Sequence, residues 1–327
     1  MQTLSQIKAA IDDHIQAYSL PRSPKNLYEP VGYILAQGGK RIRPLLCACG
    51  YLTSRTTLES RVLDACLALE VFHNFSLVHD DIMDEAPIRR GEPTVHKRWN
   101  IATGILSGDV MLIDVYRLLR QSALPDQLEP VLDKFHKVAI GVCEGQQLDM
   151  DFEMNLDVSR EAYLDMIYGK TAILLSGCLE IGGLLGGASE VVIEKLGRLG
   201  LCLGLGFQLH DDWLDTFGIP KETGKQPGGD ILRNKKTALY AFAMESGSTD
   251  DKAALMQWFS DSDGKNSKAK IEAVQEIFQR SGAAQAVADA ASAYNREAGE
   301  LLGSLPLIGP GATYLNELLK SLSGRTT

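Results

Sequence analysis

Several familiar chemistries find no footing in this chain. Its six cysteines, Cys47, Cys49, Cys66, Cys143, Cys178 and Cys202, never stand in a CxxC spacing. Neither a zinc ribbon nor a dithiol centre is indicated, and cysteines in apolar helical text read as reduced core residues. No serine elbow or activated-thiol setting is visible. No segment sustains the apolar-polar alternation of a strand, so the chain reads as all-α, with about a dozen helices. The most apolar runs, Thr171–Leu185 and Leu199–Leu209, are short, and Glu180 interrupts the first. No membrane span is expected from them. Met1-Gln2-Thr3-Leu4 lacks the basic-then-apolar order of a secretory signal, so a cytoplasmic location is expected. A net charge of −9 over 327 residues argues against a general nucleic-acid surface.

What the chain does contain is acidic text written twice. His79-Asp80-Asp81-Ile82-Met83-Asp84 ends one apolar stretch, and His210-Asp211-Asp212-Trp213-Leu214-Asp215 ends another. On a helix, Asp80 and Asp84 fall about 40° apart and Asp81 about 60° from Asp84, so all three can face one cavity. Clustered carboxylates repel one another and lose hydration unless cations compensate. One copy is as well explained by an acidic, solvated helix end. Two copies point to a pair of metal-bearing helices, and hard carboxylate oxygens suit Mg²⁺.

Cations cluster around this text despite the acidic balance. Gly38-Gly39-Lys40-Arg41-Ile42-Arg43-Pro44 interrupts the helical pattern with two glycines, three cations and a proline suited to a first helical turn. Such a segment makes an anion clamp, although its glycines lack the GxxxxGK[ST] spacing of a nucleotide loop. Ile88-Arg89-Arg90-Gly91 reads as a loop after the first acidic cluster. His73 shares the aspartate face, about two turns below it. Gly145–Asp151 ends a helix expected over 127–149, with two amides and two acids. Ser159 is placed to cap a helix over 160–183, in which Lys170-Thr171 lies mid-helix. Gly218–Asp230 is rich in glycine and carries Lys221 and Lys225, which suits a lid; Asn234-Lys235-Lys236-Thr237 extends the charge. Further helices are expected over 44–55, 58–84, 101–122 and 189–217, and in most of the chain after 235. The cations exceed what one small metabolite needs and suit two diphosphates. The implied chemistry is electrostatic stabilisation of a leaving group beside apolar helices that exclude water.

Taken in order, Gly38–Pro44, His79–Asp84 with Arg89-Arg90, Gly145–Asp149, Lys170-Thr171, Phe207–Asp215 with Gly218, and Gly224–Asp230 with Lys235 resemble the trans-isoprenyl diphosphate synthases, the polyprenyl synthetase family. The resemblance covers residues 25–245. It implies a single all-helical domain over 1–327 with the isoprenoid synthase fold, a bundle around a central cavity, and a homodimer. It implies head-to-tail joining of isopentenyl diphosphate to allylic diphosphates, with about three Mg²⁺ ions per active site. By that resemblance Asp80, Asp81, Asp84, Asp211 and Asp215 coordinate the metal, with Asp212 in support. Arg89, Lys170, Lys225 and Lys235 grip the allylic diphosphate, and Lys40, Arg43, His73 and Arg90 hold isopentenyl diphosphate. Thr171 and Gln208 present oxygens to the developing cation. Phe72, Phe75 and Ser76, below the first cluster, bear on product length and suggest a geranylgeranyl or farnesyl product. Arg325 is the only arginine near the C-terminus, so the basic tail that closes the site in some relatives is missing and closure falls to Gly224–Asp230. The alternatives are a terpene cyclase of the same fold and a non-catalytic subunit that binds prenyl diphosphates.

Overall fold

Residues 60–83 carry apolar side chains on nearly every side, and the physical outcome is a helix buried all round. In the computed structural model, which describes residues 2–219, 227–260, 267–305 and 308–323, Val62, Cys66, Leu69, Phe72, Phe75 and Val78 are all buried on it. The helices in chain order are α1 (Leu4–Gln16), α2 (Lys25–Ala36), α3 (Ile42–Leu52), α4 (Ser60–Met83), α5 (Val95–Arg98), α6 (Ile101–Ser122), α7 (Leu128–Met154), α8 (Arg160–Ile167), α9 (Ile173–Gly186), α10 (Glu190–Phe217), α11 (Gly229–Leu232), α12 (Ala238–Ser246), α13 (Thr249–Ser260), α14 (Ser267–Arg280), α15 (Ala283–Gly303) and α16 (Gly311–Ser323). The expected all-α class holds. The expected bounds of α6 are met, and Ser159 caps α8 by accepting from the Ala162 N–H at 3.1 Å.

Three departures have physical reasons. Ile88–Arg89 and Glu92–Pro93, expected as loop, pair as a minimal antiparallel hairpin, β1 and β2. Arg90 and Gly91 at its tip have φ of 53° and 83°, the left-handed pair that tight hairpins require. The helix expected over 160–183 is broken between α8 and α9 by one π turn, Tyr168–Ala172, a wide turn that in other proteins is often found at functional sites. Finally, α7 runs on to Met154, beyond the expected end at 149.

Contacts group the chain into two compact units. The first contains residues up to Lys137, Gly177–Gly197 and Ser304–Lys320. Here α4 packs mainly on α6 and α3, and α6 comes close because it presents glycine. A Cβ on Gly108 would lie 2.2 Å from His79 Nε2. Among the described residues, α4 is the one helix long and apolar enough to cross a membrane, yet it lies mostly buried inside this unit. The expectation of no span rests on shorter runs and passes over α4; its burial marks it as a core helix.

The second unit contains Val138–Ser176 and Arg198–Gly303. Its centre is α12, on which Ala238 through Met244 are all buried. The π turn is pressed onto the second half of α7, where a Cβ on Gly145 would stand 2.0 Å from the Lys170 main-chain nitrogen. Only glycine permits that approach.

Candidate active site

In the first unit, α4 ends on its acidic cluster through a Schellman motif. Glu85 takes φ of 50°, Ala86 N–H donates to the Asp81 carbonyl at 3.0 Å and Glu85 N–H to that of Ile82 at 3.3 Å. Asp80, Asp81 and Asp84 therefore sit at the negative end of the helix dipole, where carboxylates are least favoured and cations most. One cation is supplied by the hairpin: Arg89 Nε lies 2.9 and 2.8 Å from the two Asp81 oxygens, and its Nη2 3.4 Å from Asp80. Burial raises Asp81 above the usual carboxylate range, and Arg89 opposes the shift. Asp84 is exposed and Asp80 half-buried.

The hairpin's other arginine turns to the glycine loop. Arg90 Nη1 donates to the Gly38 carbonyl, and its guanidinium lies where a Cβ on Gly39 would be 3.3 Å away. Gly39 itself has φ of 140°, a backbone conformation that favours glycine. Arg43 Nη1 meets His73 Nε2 at 3.1 Å. Burial, reinforced by Arg43 and Arg90, holds His73 well below the usual histidine range, so it is neutral. Arg43 Nε is buried with no partner among the described residues. This unit thus brings together Gly38, Arg43, His73 and Arg90; Lys40 is exposed beside them.

The second unit holds the other half of the expected residues. Lys170 Nζ pairs with Asp149 Oδ2 at 2.5 Å, which gives the weak Gly145–Asp149 text a role: its glycine admits the π turn and its acid receives the lysine. Thr171 Oγ1 donates to Gln208 Oε1 at 3.3 Å, and Gln208 Nε2 to Asp212 Oδ1 at 2.9 Å. Asp212 is buried and also accepts from Tyr163 Oη and from the Ala238 N–H at 2.8 Å. Burial pushes its pKa up to about 6, while those three donors hold it down. These hydrogen bonds hold Asp212 inside the second unit, turned away from the exposed Asp211 beside it. Asp215 accepts the Asp230 N–H at 2.8 Å, and Asp211 is exposed. Lys235 is exposed, whereas Lys236 is buried and donates to the Glu153 carbonyl at 2.8 Å, which removes it from the expected positive patch. Lys225, Gly224 and Arg325 lie outside the described residues. Tyr163 and Asp149 were not among the expected site residues. Asp149 had a motif to signal it; Tyr163 had none.

Among the described residues no three histidine, cysteine or carboxylate side chains converge as a finished metal cage. The donor chemistry nevertheless fits Mg²⁺, which is held through a few carboxylates together with substrate phosphates and water. The aromatic wall beneath α4's acidic end is continuous. Phe75 meets His79 at 4.8 Å between ring centroids, Phe72 lies 5.6 Å from Phe75, and Phe72 abuts Phe135 edge-on at 5.1 Å. Ser76 is tied to its own helix by donating to the His73 carbonyl at 2.8 Å.

Comparison with known proteins bears on the whole arrangement. The family model described as Polyprenyl synthetase matches residues 24–278. A short chain isoprenyl diphosphate synthase of Methanothermobacter thermautotrophicus is 36% identical over 288 residues, covering 87% of this chain and 86% of that protein. A geranylgeranyl diphosphate synthase of Saccharolobus solfataricus is 37% identical over 291 residues, covering 86% and 85%. The crystal structure of geranylgeranyl pyrophosphate synthetase from Pyrococcus horikoshii superposes with a TM-score of 0.90 at 32% identity, covering 98% of this chain and 97% of that one.

Proposed function

The chain belongs to the polyprenyl synthetase family, and we propose how its residues divide the work of one condensation. It is a prenyltransferase that joins isopentenyl diphosphate to allylic diphosphates, giving short-chain polyprenyl diphosphates of the geranylgeranyl or farnesyl kind. The observation that carries the assignment is the second anion seat. Arg43, His73 and Arg90, which meets the Gly38 carbonyl, gather two cations and a neutral imidazole in one unit, which this reading takes as a seat for a second diphosphate. A cyclase, which takes one diphosphate, has no use for it.

In this reading Asp80, Asp81, Asp84, Asp211 and Asp215 would hold Mg²⁺, and Arg89, which meets Asp81 in the structure, would grip the allylic diphosphate. When bound, the metal neutralises the diphosphate as it departs. Lys170, Lys225 and Lys235 grip the same group, and Lys170 exchanges Asp149 for phosphate oxygen. The allylic C1–O bond breaks, and its electron pair leaves with the diphosphate. Thr171 and Gln208 turn oxygen dipoles towards the positive carbon without offering a nucleophile strong enough to trap it. Lys40, Arg43, His73 and Arg90 hold isopentenyl diphosphate so that its double bond attacks C1. The proton lost from C2 of that unit passes to the released diphosphate.

The product is geranylgeranyl diphosphate in preference to farnesyl diphosphate, with Phe75 and Phe72 as successive layers of the floor. The enzyme is cytoplasmic, forms one functional domain and works as a homodimer. Support for pairing comes from α6, which leaves Ile101, Ile105, Leu106 and Ile113 exposed, large apolar side chains that a partner subunit would cover. The deciding experiment incubates purified protein with Mg²⁺, isopentenyl diphosphate and each of dimethylallyl, geranyl and farnesyl diphosphates. Products are separated by chain length. Elongation to C20 is expected, and failure with every primer would overturn the reading.

A further inference from the structure

Between Lys40 and Arg43 stands an arginine whose guanidinium is taken up by protein groups. Arg41 is buried, and its backbone is left-handed, with φ of 53° and ψ of 39°, directly before α3. L-residues other than glycine, asparagine and aspartate seldom take that conformation unless their surroundings hold them in it. Here the surroundings are three helices. Arg41 Nη1 meets Glu70 Oε1 on α4 at 2.5 Å, Nη2 donates to the Leu35 carbonyl on α2 at 3.0 Å, and Nε lies 3.5 Å from Asp12 on α1. Glu70 is equally buried and is steadied by Asn74, whose Nδ2 donates to it at 3.2 Å.

Glu70 lies three residues before His73 on the same helix, and Arg41 two residues before Arg43. The Arg41–Glu70 pair therefore fixes, from beneath, the spacing between the two side chains that meet at 3.1 Å in the seat. That contact sets a guanidinium against a histidine kept short of its proton, where a bound anion would meet the arginine's charge. A buried, bidirectionally anchored ion pair is costly to place and strongly orienting once formed.

We infer that Arg41, clamped by Glu70, is the positioning residue for the isopentenyl diphosphate seat. It touches no substrate, and its effect passes through Arg43 and His73. The inference rests on the function proposed above, and the test separates the two.

Steady-state kinetics of the full chain, with each substrate varied in turn, compare wild type with Arg41→Lys and Glu70→Gln. Lysine keeps the charge but cannot span Glu70, Leu35 and Asp12; glutamine keeps the acceptor for Asn74 and loses the charge. Each variant is expected to raise KM for isopentenyl diphosphate by about tenfold, with KM for the allylic primer held within about twofold. A merely structural role would lower the amount of active enzyme and so the apparent kcat, with both KM values unmoved. That result, or an equal rise in both KM values, overturns the positioning role while leaving the enzyme's function intact. If both variants fail to fold, the pair serves the fold and the inference is rejected. A wild-type protein that elongates no primer instead overturns the function on which the inference rests.

Discussion

Arg43 Nη1 donates to His73 Nε2 across 3.1 Å, so that nitrogen must present its lone pair and the ring must be neutral, with its proton on Nδ1. The depressed pKa of His73 has the same origin: burial first, then the arginines around it. A histidine with a lowered pKa leaves the unfolded chain binding more protons than the folded one below about pH 6.5. Stability therefore rises with pH in this window and falls as the medium is acidified. The His73 share of the slope is at most about 1.4 kcal/mol per pH unit. Urea unfolding from pH 5 to 7 is expected to show a shallower pH slope in His73→Gln than in wild type; identical slopes would show that His73 titrates normally.

Tyr163→Phe removes one of the three donors to buried Asp212. The expected cost is about 1–3 kcal/mol, the usual penalty for leaving a buried acceptor short. Asp212→Asn is expected to cost more, because its amide N–H groups would face donors. Chemical denaturation of the two variants beside wild type gives the order directly.

Phe75→Ala is expected to lengthen the product only slightly, since Phe72 and Phe135 remain packed below it. The double change Phe72→Ala with Phe75→Ala should lengthen it further, at a stability cost of about 3–5 kcal/mol for each buried ring. Chromatography of the dephosphorylated products reads out both. Unchanged length in the double variant would mean that the floor lies elsewhere.

Ile113 is 68% exposed on α6, the last of the apolar residues assigned to pairing. Ile113→Glu should convert a dimer into a monomer in light scattering without unfolding it, because most of the side chain already lies outside the core. A dimer that survives this change would place the subunit contact on another surface.

Chelation with EDTA is expected to abolish elongation, and added Mg²⁺ to restore it. Asp84→Asn should raise the Mg²⁺ concentration needed for half-maximal rate. Asp81→Asn should raise that requirement as well, since Asp81 is assigned to the same ion. An unchanged requirement in both variants would count against these carboxylates as its ligands.

Features that depend on spacing within one helix were legible in the sequence. Asp80, Asp81 and Asp84 share a helix end because their separations require it, and Ser159 caps because its side chain can do little else before a helix. What escaped was decided by contacts remote in sequence. Lys235 and Lys236 look alike as text, but burial turns only the second away to Glu153. Arg41 reads as one more cation in a basic loop, and only Glu70, 29 positions on, makes it an anchor. The break in the helix after Ile167 depends on Gly145 meeting Gly169, and no local pattern announces it. The hairpin at Ile88–Pro93 is too short for alternation to reveal.

The π turn at Tyr168–Ala172 holds one more residue than regular winding would need, and this gives the helix a seam. Deleting a single residue there would return the segment to regular winding, and the wide turn that presents Lys170 to Asp149 would be lost. The extra residue thus acts as a phase adjuster. It allows a glycine-bearing turn to be pressed against α7 while the residues on either side keep independent bearings. The turn should tolerate neither a change in its length nor a side chain at Gly169, where a Cβ would lie 2.7 Å from the Gly141 carbonyl oxygen.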